Sequence, residues 1–160
     1  IRCGEKYTLI REDFKKVKIK KSLNDKDQAI ILISLGATDP NNIGLKVLNL
    51  MVVIENIIIN FVTTNSNNHI PKLQNFAKQF KNINIFIDCN IAEVMSNSDF
   101  AIITPSVIAH EAMFLKLPFF SLKTADNQKL MHQYLLENNY QAFNIGELNK
   151  LQEEVQKRVQ

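Results

Sequence analysis

The chain has 160 residues, of which 46% are hydrophobic and 22% charged, and its formal net charge is +3. These values predict one globular domain with a full core and exclude a disordered or low-complexity protein. The longest apolar run, 52–62, is too short to span a membrane and contains Glu55, Asn56 and Asn60, so we expect neither a membrane span nor a signal peptide. The first residue is Ile1 rather than Met, which predicts a piece of a longer protein.

The excess of basic over acidic residues lies mainly within 11–21, which carries Lys15, Lys16, Lys18, Lys20 and Lys21. Such a run binds nucleic acid or membrane surfaces in some proteins. This one lacks the interleaved aromatic platform that single-strand binders use, so we interpret it as a solvated surface or linker and expect no nucleic-acid partner.

The two cysteines, Cys3 and Cys89, have neither metal-ligand spacing nor a disulfide pattern. They predict reduced thiols in a cytoplasmic protein. We also expect neither a metal site nor a cofactor.

From residue 29 onward, apolar runs alternate with helical patterns. Strands are predicted at 29–35, 56–63, 83–89, 100–103, 118–122 and 142–145, and helices at 42–53, 70–80, 91–95, 107–115, 127–136 and 147–159. This alternation predicts an α/β fold: a Rossmann-like parallel sheet of about six strands with helices on both faces. We predict a lead-in segment at 1–25 and one ligand-binding domain at 26–160. Ligands bind such sheets at the carboxyl ends of the strands, where the loops should meet.

The loops after the first three predicted strands contain three candidate binding residues. Gly36 permits close backbone approach, and the helix start that follows offers N–H groups to an anion, although a tight turn explains the same residues. Thr64 lies in a loop rich in short hydrogen-bonding side chains, which bind ligands or form ordinary turns. Asn90 is a candidate helix cap whose backbone neighbours face the same edge.

The segment after the fourth strand carries the most chemistry. Thr104 and Ser106 precede a helix start that suits a phosphate, with Ser106 as the expected N-cap. The helix is apolar almost all round, which predicts burial, yet it contains His110 and Glu111. A buried carboxylate is costly without hydrogen-bond donors, and the hydroxyls of a ribose diol would supply two. Glu111 is therefore a predicted ribose ligand, with a solvated position as the alternative, and His110 is interpreted as structural.

The loop after the fifth strand adds two amides to this edge. Asp126 is a candidate helix cap, while Asn127 and Gln128 are expected to point toward the ligand. Phosphate, ribose and amide contacts together are what a nucleotide-diphosphate sugar requires. For His69 and His132 we expect surface roles, and no triad, HExxH motif or carboxylate pair predicts a catalytic residue within the chain.

Four segments resemble a known family: GEKYTLIREDF, SLGATD, NIAEVMSNSDFAIITPSVIAHEAMFLKLPF and KTADNQ. They are similar to the C-terminal domain of the UDP-2,4-diacetamido-2,4,6-trideoxy-β-L-altropyranose hydrolases of pseudaminic-acid biosynthesis. That family is similar in fold to the peptidoglycan N-acetylglucosaminyltransferase, a two-domain GT-B protein. The resemblance covers nearly the whole chain and implies binding of UDP or a UDP-sugar.

The resemblance also implies a role for each matching position. Uracil would meet the backbone around Asn90 and Ile91, and Glu111 would hold the ribose. Thr104 and Ser106 would lie near the diphosphate. Asn127 and Gln128 would face the sugar, and Gly36 and Asp39 would face the interdomain cleft.

Two departures from the family pattern bear on function. Ala37 stands where relatives carry a second glycine, and the family's catalytic histidine lies in an N-terminal domain. We therefore expect that domain to be a missing partner and this chain alone to be inactive. The donor-binding half of a GT-B glycosyltransferase and a non-enzymatic nucleotide-binding or interaction domain are the alternatives.

Overall fold

The computed structural model describes residues 9–18 and 28–160. The strands are β1 Ala29–Ser34, β2 Ile57–Thr63, β3 Ile83–Ile87, β4 Phe100–Ile103, β5 Phe119–Lys123 and β6 Ala142–Asn144. The helices are α1 Glu12–Lys16, α2 Ile43–Met51, α3 Ile70–Ala77, α4 Ile91–Ser96, α5 Val107–Phe114, α6 Lys129–Glu137 and α7 Leu148–Val159. Short 3₁₀ turns at Asp126–Gln128 and Ile145–Glu147 precede α6 and α7.

The six strands form one parallel sheet in the order β3-β2-β1-β4-β5-β6. At its centre, Ile33 of β1 is in register with Phe61 of β2 on one side and with Ile102 of β4 on the other. After β1 the chain adds β2 and β3 on one side of it, and then places β4, β5 and β6 on the other side. The junction of β1 and β4 is therefore the topological switch point of the fold. The predicted six-stranded parallel α/β fold is confirmed.

The core lies in two layers because successive side chains of each strand point to opposite faces. Ile31 and Ile33 pack with α2, α3 and α7, whereas Leu32 packs with α4 and α5 on the other face. Phe14 of α1 is 1% exposed and belongs to the second layer. The short helix that precedes the sheet in the chain is thus fixed by one buried aromatic ring.

The observed elements are shorter than predicted at several ends. The first predicted helix ends at Met51, the second at Ala77, and β3 ends at Ile87 because Asp88 turns the chain with a φ of 51°. The fifth predicted helix starts at Lys129, since 126–128 forms a 3₁₀ turn instead. The apolar residues just beyond these ends pack from loops and turns. The apolar runs in the sequence therefore extend farther than the helices and strands do.

Helix α5 is not buried all round, contrary to its apolar sequence. Ala109, Glu111 and Ala112 are completely buried, while Val107 and Phe114 are 58% and 46% exposed. The helix lies on one face of the sheet and turns its other side outward. The two apolar residues on that outer side gave no sign in the sequence of their exposure.

Within 9–18 and 28–160, no helix is both long and apolar enough to cross a membrane. The same ranges contain no cluster of three or more His, Cys, Asp or Glu side chains arranged to hold a metal. Cys89 is a free thiol, while Cys3, Lys20 and Lys21 lie outside the described residues.

Candidate functional site

A cleft of about 240 Å³ opens at the carboxyl ends of β1 to β4, beside the switch point. Five of the ten predicted site residues line it, namely Gly36, Thr64, Ile91, Thr104 and Ser106. Its lining also includes Arg11, Ser34, Ala37, Val62, Thr63, Asp88, Cys89 and Ile108. The strand-end loops therefore converge as the alternating pattern predicts.

The loop after β1 forms one wall of this cleft, but its acidic residue points elsewhere. Gly36 has a φ of 97°, a backbone conformation that favours glycine. The buried Asp39 carboxylate accepts hydrogen bonds from the N–H groups of Ile43 and Gly44, at 2.8 and 2.7 Å. Burial raises the pKa of Asp39, and the two hydrogen bonds lower it by less than burial raises it. The prediction that the start of α2 offers free N–H groups to an anion is wrong, because Asp39 already caps it.

The loops after β1, β2 and β3 are joined by side-chain hydrogen bonds. The Thr64 hydroxyl donates to the Ala37 carbonyl at 3.0 Å, which links the first two loops. The Asp88 carboxylate accepts from the side-chain amide and the backbone N–H of Asn65, which links the second to the third. These bonds fix the shape of one side of the cleft, so Thr64 has a structural role there besides any contact with a ligand.

Asn90 acts as a helix cap. Its Oδ1 accepts from the Ala92 N–H at 3.2 Å, and its Nδ2 donates to Glu93 at 3.3 Å. The capping role considered from the sequence is confirmed, and the neighbouring Ile91 lines the cleft. Cys89 also lines it, and burial is the main cause that raises the pKa of its thiol.

The loop between β4 and α5 brings two hydroxyls to the cleft. Thr104 is buried, and its Oγ1 lies 3.1 Å from the Oγ of Ser106. Ser106 occupies the N-cap position of α5, but its side chain makes no capping hydrogen bond. The predicted side-chain cap is therefore wrong, and the hydroxyl pair stands beside the positive end of the helix dipole.

Glu111 is completely buried and forms an ion pair that the sequence did not indicate. Arg11 donates from Nε to Oε1 at 2.5 Å and from Nη2 to Oε2 at 2.7 Å. The Arg11 side chain is 57% exposed, whereas that of Glu111 has no exposed surface. The hydrogen bonds to Glu111 are the main cause that raises the pKa of Arg11. The expected burial of Glu111 is confirmed, its solvated alternative is wrong, and the ribose contact stays a prediction.

Arg11 is the principal residue that the sequence reasoning missed. It lies 100 positions from Glu111 and was assigned to the lead-in segment as part of a solvated basic run. No local pattern connects two such distant residues. The buried carboxylate was the available signal, because a buried charge requires a partner.

The two amides after β5 are not among the described residues that line the cleft. Gln128 turns its Oε1 back on its own loop and accepts from the N–H groups of Thr124 and Ala125, at 2.8 and 3.3 Å. Asn127 is exposed, and Ala125 rather than Asp126 occupies the N-cap position of the 3₁₀ turn. Contacts of Asn127 and Gln128 with a sugar stay predictions.

The histidines lie in three different settings. His69 places Nε2 3.1 Å from the Pro40 carbonyl oxygen, close to the loop after β1. His132 is only 8% exposed, so its predicted surface role is wrong. His110 is half-buried on α5 and makes its own contacts.

The sequence is similar to a curated hydrolase. It is 34% identical over 143 residues to the UDP-2,4-diacetamido-2,4,6-trideoxy-beta-L-altropyranose hydrolase of Campylobacter jejuni, a match that covers 89% of this chain and 50% of that protein. The chain thus spans about half the length of the relative. No family model matches the sequence.

Solved glycosyltransferases share the fold at much lower identity. The glycosyltransferase of kitacinnamycin superposes with a TM-score of 0.63 at 12% identity, covering 91% of this chain and 37% of that one. The spinosyn rhamnosyltransferase SpnG, complexed with thymidine diphosphate, gives a TM-score of 0.56 at 14% identity, covering 73% and 32% of the two chains. The chain therefore resembles one half of a UDP-sugar hydrolase in sequence and the GT-B glycosyltransferases in fold.

Proposed function

We propose that this chain is the UDP-binding half of a nucleotide-sugar hydrolase that releases UDP from a 2,4-diacetamido-trideoxyhexose in pseudaminic-acid biosynthesis. The observation that carries the proposal is the cleft at the switch point, lined by residues of the segments that resemble the hydrolase family. The 34% identity to the Campylobacter enzyme supports the same substrate class. A cytoplasmic location and the division at residue 25 into a lead-in and a binding domain are part of this proposal.

The proposed nucleotide lies along the strand ends. Uracil contacts the backbone near Asn90 and Ile91, and the diphosphate contacts Thr104 and Ser106. The ribose hydroxyls bind the carboxylate of Glu111, which lies on α5 just beyond the hydroxyl pair.

The sugar would leave the diphosphate toward two loops on either side of β4. Asn127 and Gln128 follow β5, and Gly36 follows β1. Asp39 supports this arrangement indirectly, because its carboxylate fixes the start of α2 beside the Gly36 loop.

The cleft is small for such a ligand. Pockets that enclose small molecules commonly measure about 300–1,000 Å³, and this one measures about 240 Å³. A second wall from an N-terminal domain would complete the site and supply the catalytic base, which agrees with a chain that spans half of its relative.

Titration calorimetry of the chain with UDP tests the proposal. We expect saturable binding in the micromolar to millimolar range, and an absence of heat and of chemical-shift changes at millimolar UDP would refute it. Glu111→Ala should weaken binding by about 1–3 kcal/mol, because ribose hydroxyls would lose their acceptor. Glu137→Ala, on the exposed side of α6, is the matched control and should leave the affinity unchanged.

The donor-binding half of a GT-B glycosyltransferase is the second candidate. It is favoured by the fold shared with solved glycosyltransferases, one of them complexed with a nucleoside diphosphate. Joining the chain to its upstream domain and supplying a UDP-sugar distinguishes the two. A hydrolase releases the free sugar in water alone, whereas a transferase requires an acceptor.

A non-enzymatic nucleotide-binding or interaction domain is the third candidate. Its support is Ala37, which replaces a glycine of the family pattern in the wall of the cleft. A stably folded chain that fails to bind UDP would favour this candidate over both enzymes.

A further inference from the structure

Arg11 covers the carboxylate that the proposed nucleotide would need. The guanidinium bonds to both Glu111 oxygens, and the glutamate side chain has no exposed surface. Each carboxylate oxygen keeps a further lone pair, but the guanidinium already occupies one site on both oxygens and the carboxylate is closed to solvent. A nucleotide can therefore use Glu111 only if Arg11 moves.

Such a movement requires the side chain alone. The Phe14 ring is buried in the core, and the Phe14 N–H donates to the Arg11 carbonyl at 3.1 Å, so the backbone at Arg11 is anchored. The Arg11 side chain is by contrast 57% exposed. A change of rotamer moves the guanidinium without moving α1.

The cleft offers the displaced guanidinium a destination. Among the described residues that line the cleft, Arg11 carries the positive charge and Asp88 the negative one. Asp88 is already bonded to Asn65, on the side of β3. Thr104 and Ser106 supply hydroxyls and the start of α5 supplies backbone N–H groups, none of which carries a formal charge, so an incoming diphosphate meets Arg11 as its cationic partner. Guanidinium groups bind phosphate oxygens through paired hydrogen bonds.

We propose that Arg11 exchanges partners when a nucleoside diphosphate binds: it leaves the Glu111 carboxylate to the ribose hydroxyls and turns to the diphosphate. This inference rests on the proposed UDP-binding function and adds a residue that the sequence did not indicate. The exchange keeps both charged groups hydrogen-bonded before and after binding, since Arg11 passes from a carboxylate to a phosphate and Glu111 passes from a guanidinium to neutral hydroxyls. A nucleoside without phosphates would break the same ion pair but would supply no phosphate group for Arg11 to bind.

Calorimetric titrations with UDP and with uridine test the exchange. In the unaltered chain, UDP should bind far more tightly than uridine. Arg11→Gln should weaken UDP binding about 10- to 100-fold, the loss of one set of charge-assisted hydrogen bonds. It should also leave uridine binding equal or tighter, because no ion pair has to break. Lys15→Gln, which removes the same charge from the exposed side of α1, should change neither affinity.

The remaining outcomes separate the two proposals. If the unaltered chain binds no UDP, the proposed function fails and the exchange with it. If it binds UDP but Arg11→Gln weakens UDP and uridine by the same factor, only the exchange fails, since Arg11 then merely supports the site. If Arg11→Gln tightens the binding of UDP and of uridine by the same factor, the exchange also fails. Arg11 would then block Glu111 without binding the diphosphate.

A second readout needs no variant at position 11. The chain contains three arginines, Arg2, Arg11 and Arg158, so Arg2→Lys and Arg158→Lys assign the Arg11 Nε–H signal in a ¹H–¹⁵N spectrum. The exchange requires this signal to shift at saturating UDP as the bond to Glu111 is lost. A signal that stays fixed while UDP saturates the chain overturns the proposal.

Discussion

His132 is buried on α6, and its Nδ1 atom has no hydrogen-bond partner. Burial is the main cause that lowers its pKa, and the nearby Lys123 lowers it further, while Glu147 opposes both. The unfolded chain therefore takes up a proton at this residue more readily than the folded chain does. Its contribution to stability is present above the unfolded pKa, about 6.5, and is lost as the pH falls from there through the folded pKa.

We expect His132→Gln to reduce the loss of stability on acidification. Urea unfolding of both proteins at pH 7.5 and 5.5 measures the effect as a difference of free energies of unfolding. His69→Gln serves as the control, since His69 lies in a loop rather than in the core. An identical pH dependence with and without His132 would show that this histidine is not the group responsible.

Glu111 shows how far a single residue could be predicted from the sequence. Its apolar neighbours on the helix correctly predicted burial and the need for hydrogen-bond donors. The donor proved to be Arg11, which is 100 positions away and carries no sequence signal that selects it. Asp39 shows the same limit, because a loop carboxylate that caps a helix looks the same in sequence as one that faces a ligand.

At the scale of the element, Gly44 explains how closely α2 packs on β2. A Cβ atom at this position would lie 2.5 Å from Cζ of Phe61 and 2.9 Å from Oδ2 of Asp39. Both neighbours are buried, and the Asp39 carboxylate is held by the helix start. The sequence reasoning overlooked this glycine, although a glycine in the first turn of a helix is a sign of close approach.

Gly44→Ala should destabilise the protein by about 1–3 kcal/mol, because overpacking outweighs the better helix propensity of alanine. Gly146→Ala is the matched control, since a Cβ there would meet nothing within 4 Å. Chemical denaturation of the two variants compares them directly. Equal midpoints would mean that the Phe61 ring moves aside without cost.

From residue 29 onward, element type and order followed from the sequence but element ends did not, and helix α1 within the predicted lead-in segment was not predicted. Continuous apolar runs are a strong signal for buried parallel strands, and all six were found. The ends depend on the backbone at single residues. Asn56 and Asp88 adopt positive φ values at the ends of β2 and β3, which neither residue type requires.

At the scale of the whole molecule, the proposed function assigns ligand binding but no catalytic residue to this chain. We expect the purified chain to release no UDP from the UDP-sugar, because the described residues of the cleft include no histidine beside its hydroxyl pair. Chromatographic detection of UDP measures this, with the full-length Campylobacter hydrolase as the positive control. Sustained release by the chain alone would show that a catalytic group lies within it.

The strand order β3-β2-β1-β4-β5-β6 also bears on how the protein is made. β1 lies at the centre and is the first strand of this sheet to leave the ribosome. β2 and β3 then add outward on one side, and β4, β5 and β6 add outward on the other. Each new strand of the described sheet joins a free edge, and none has to insert between two strands that are already paired. Domains generally fold as units during synthesis, and this one can grow from its middle in the order in which it is translated.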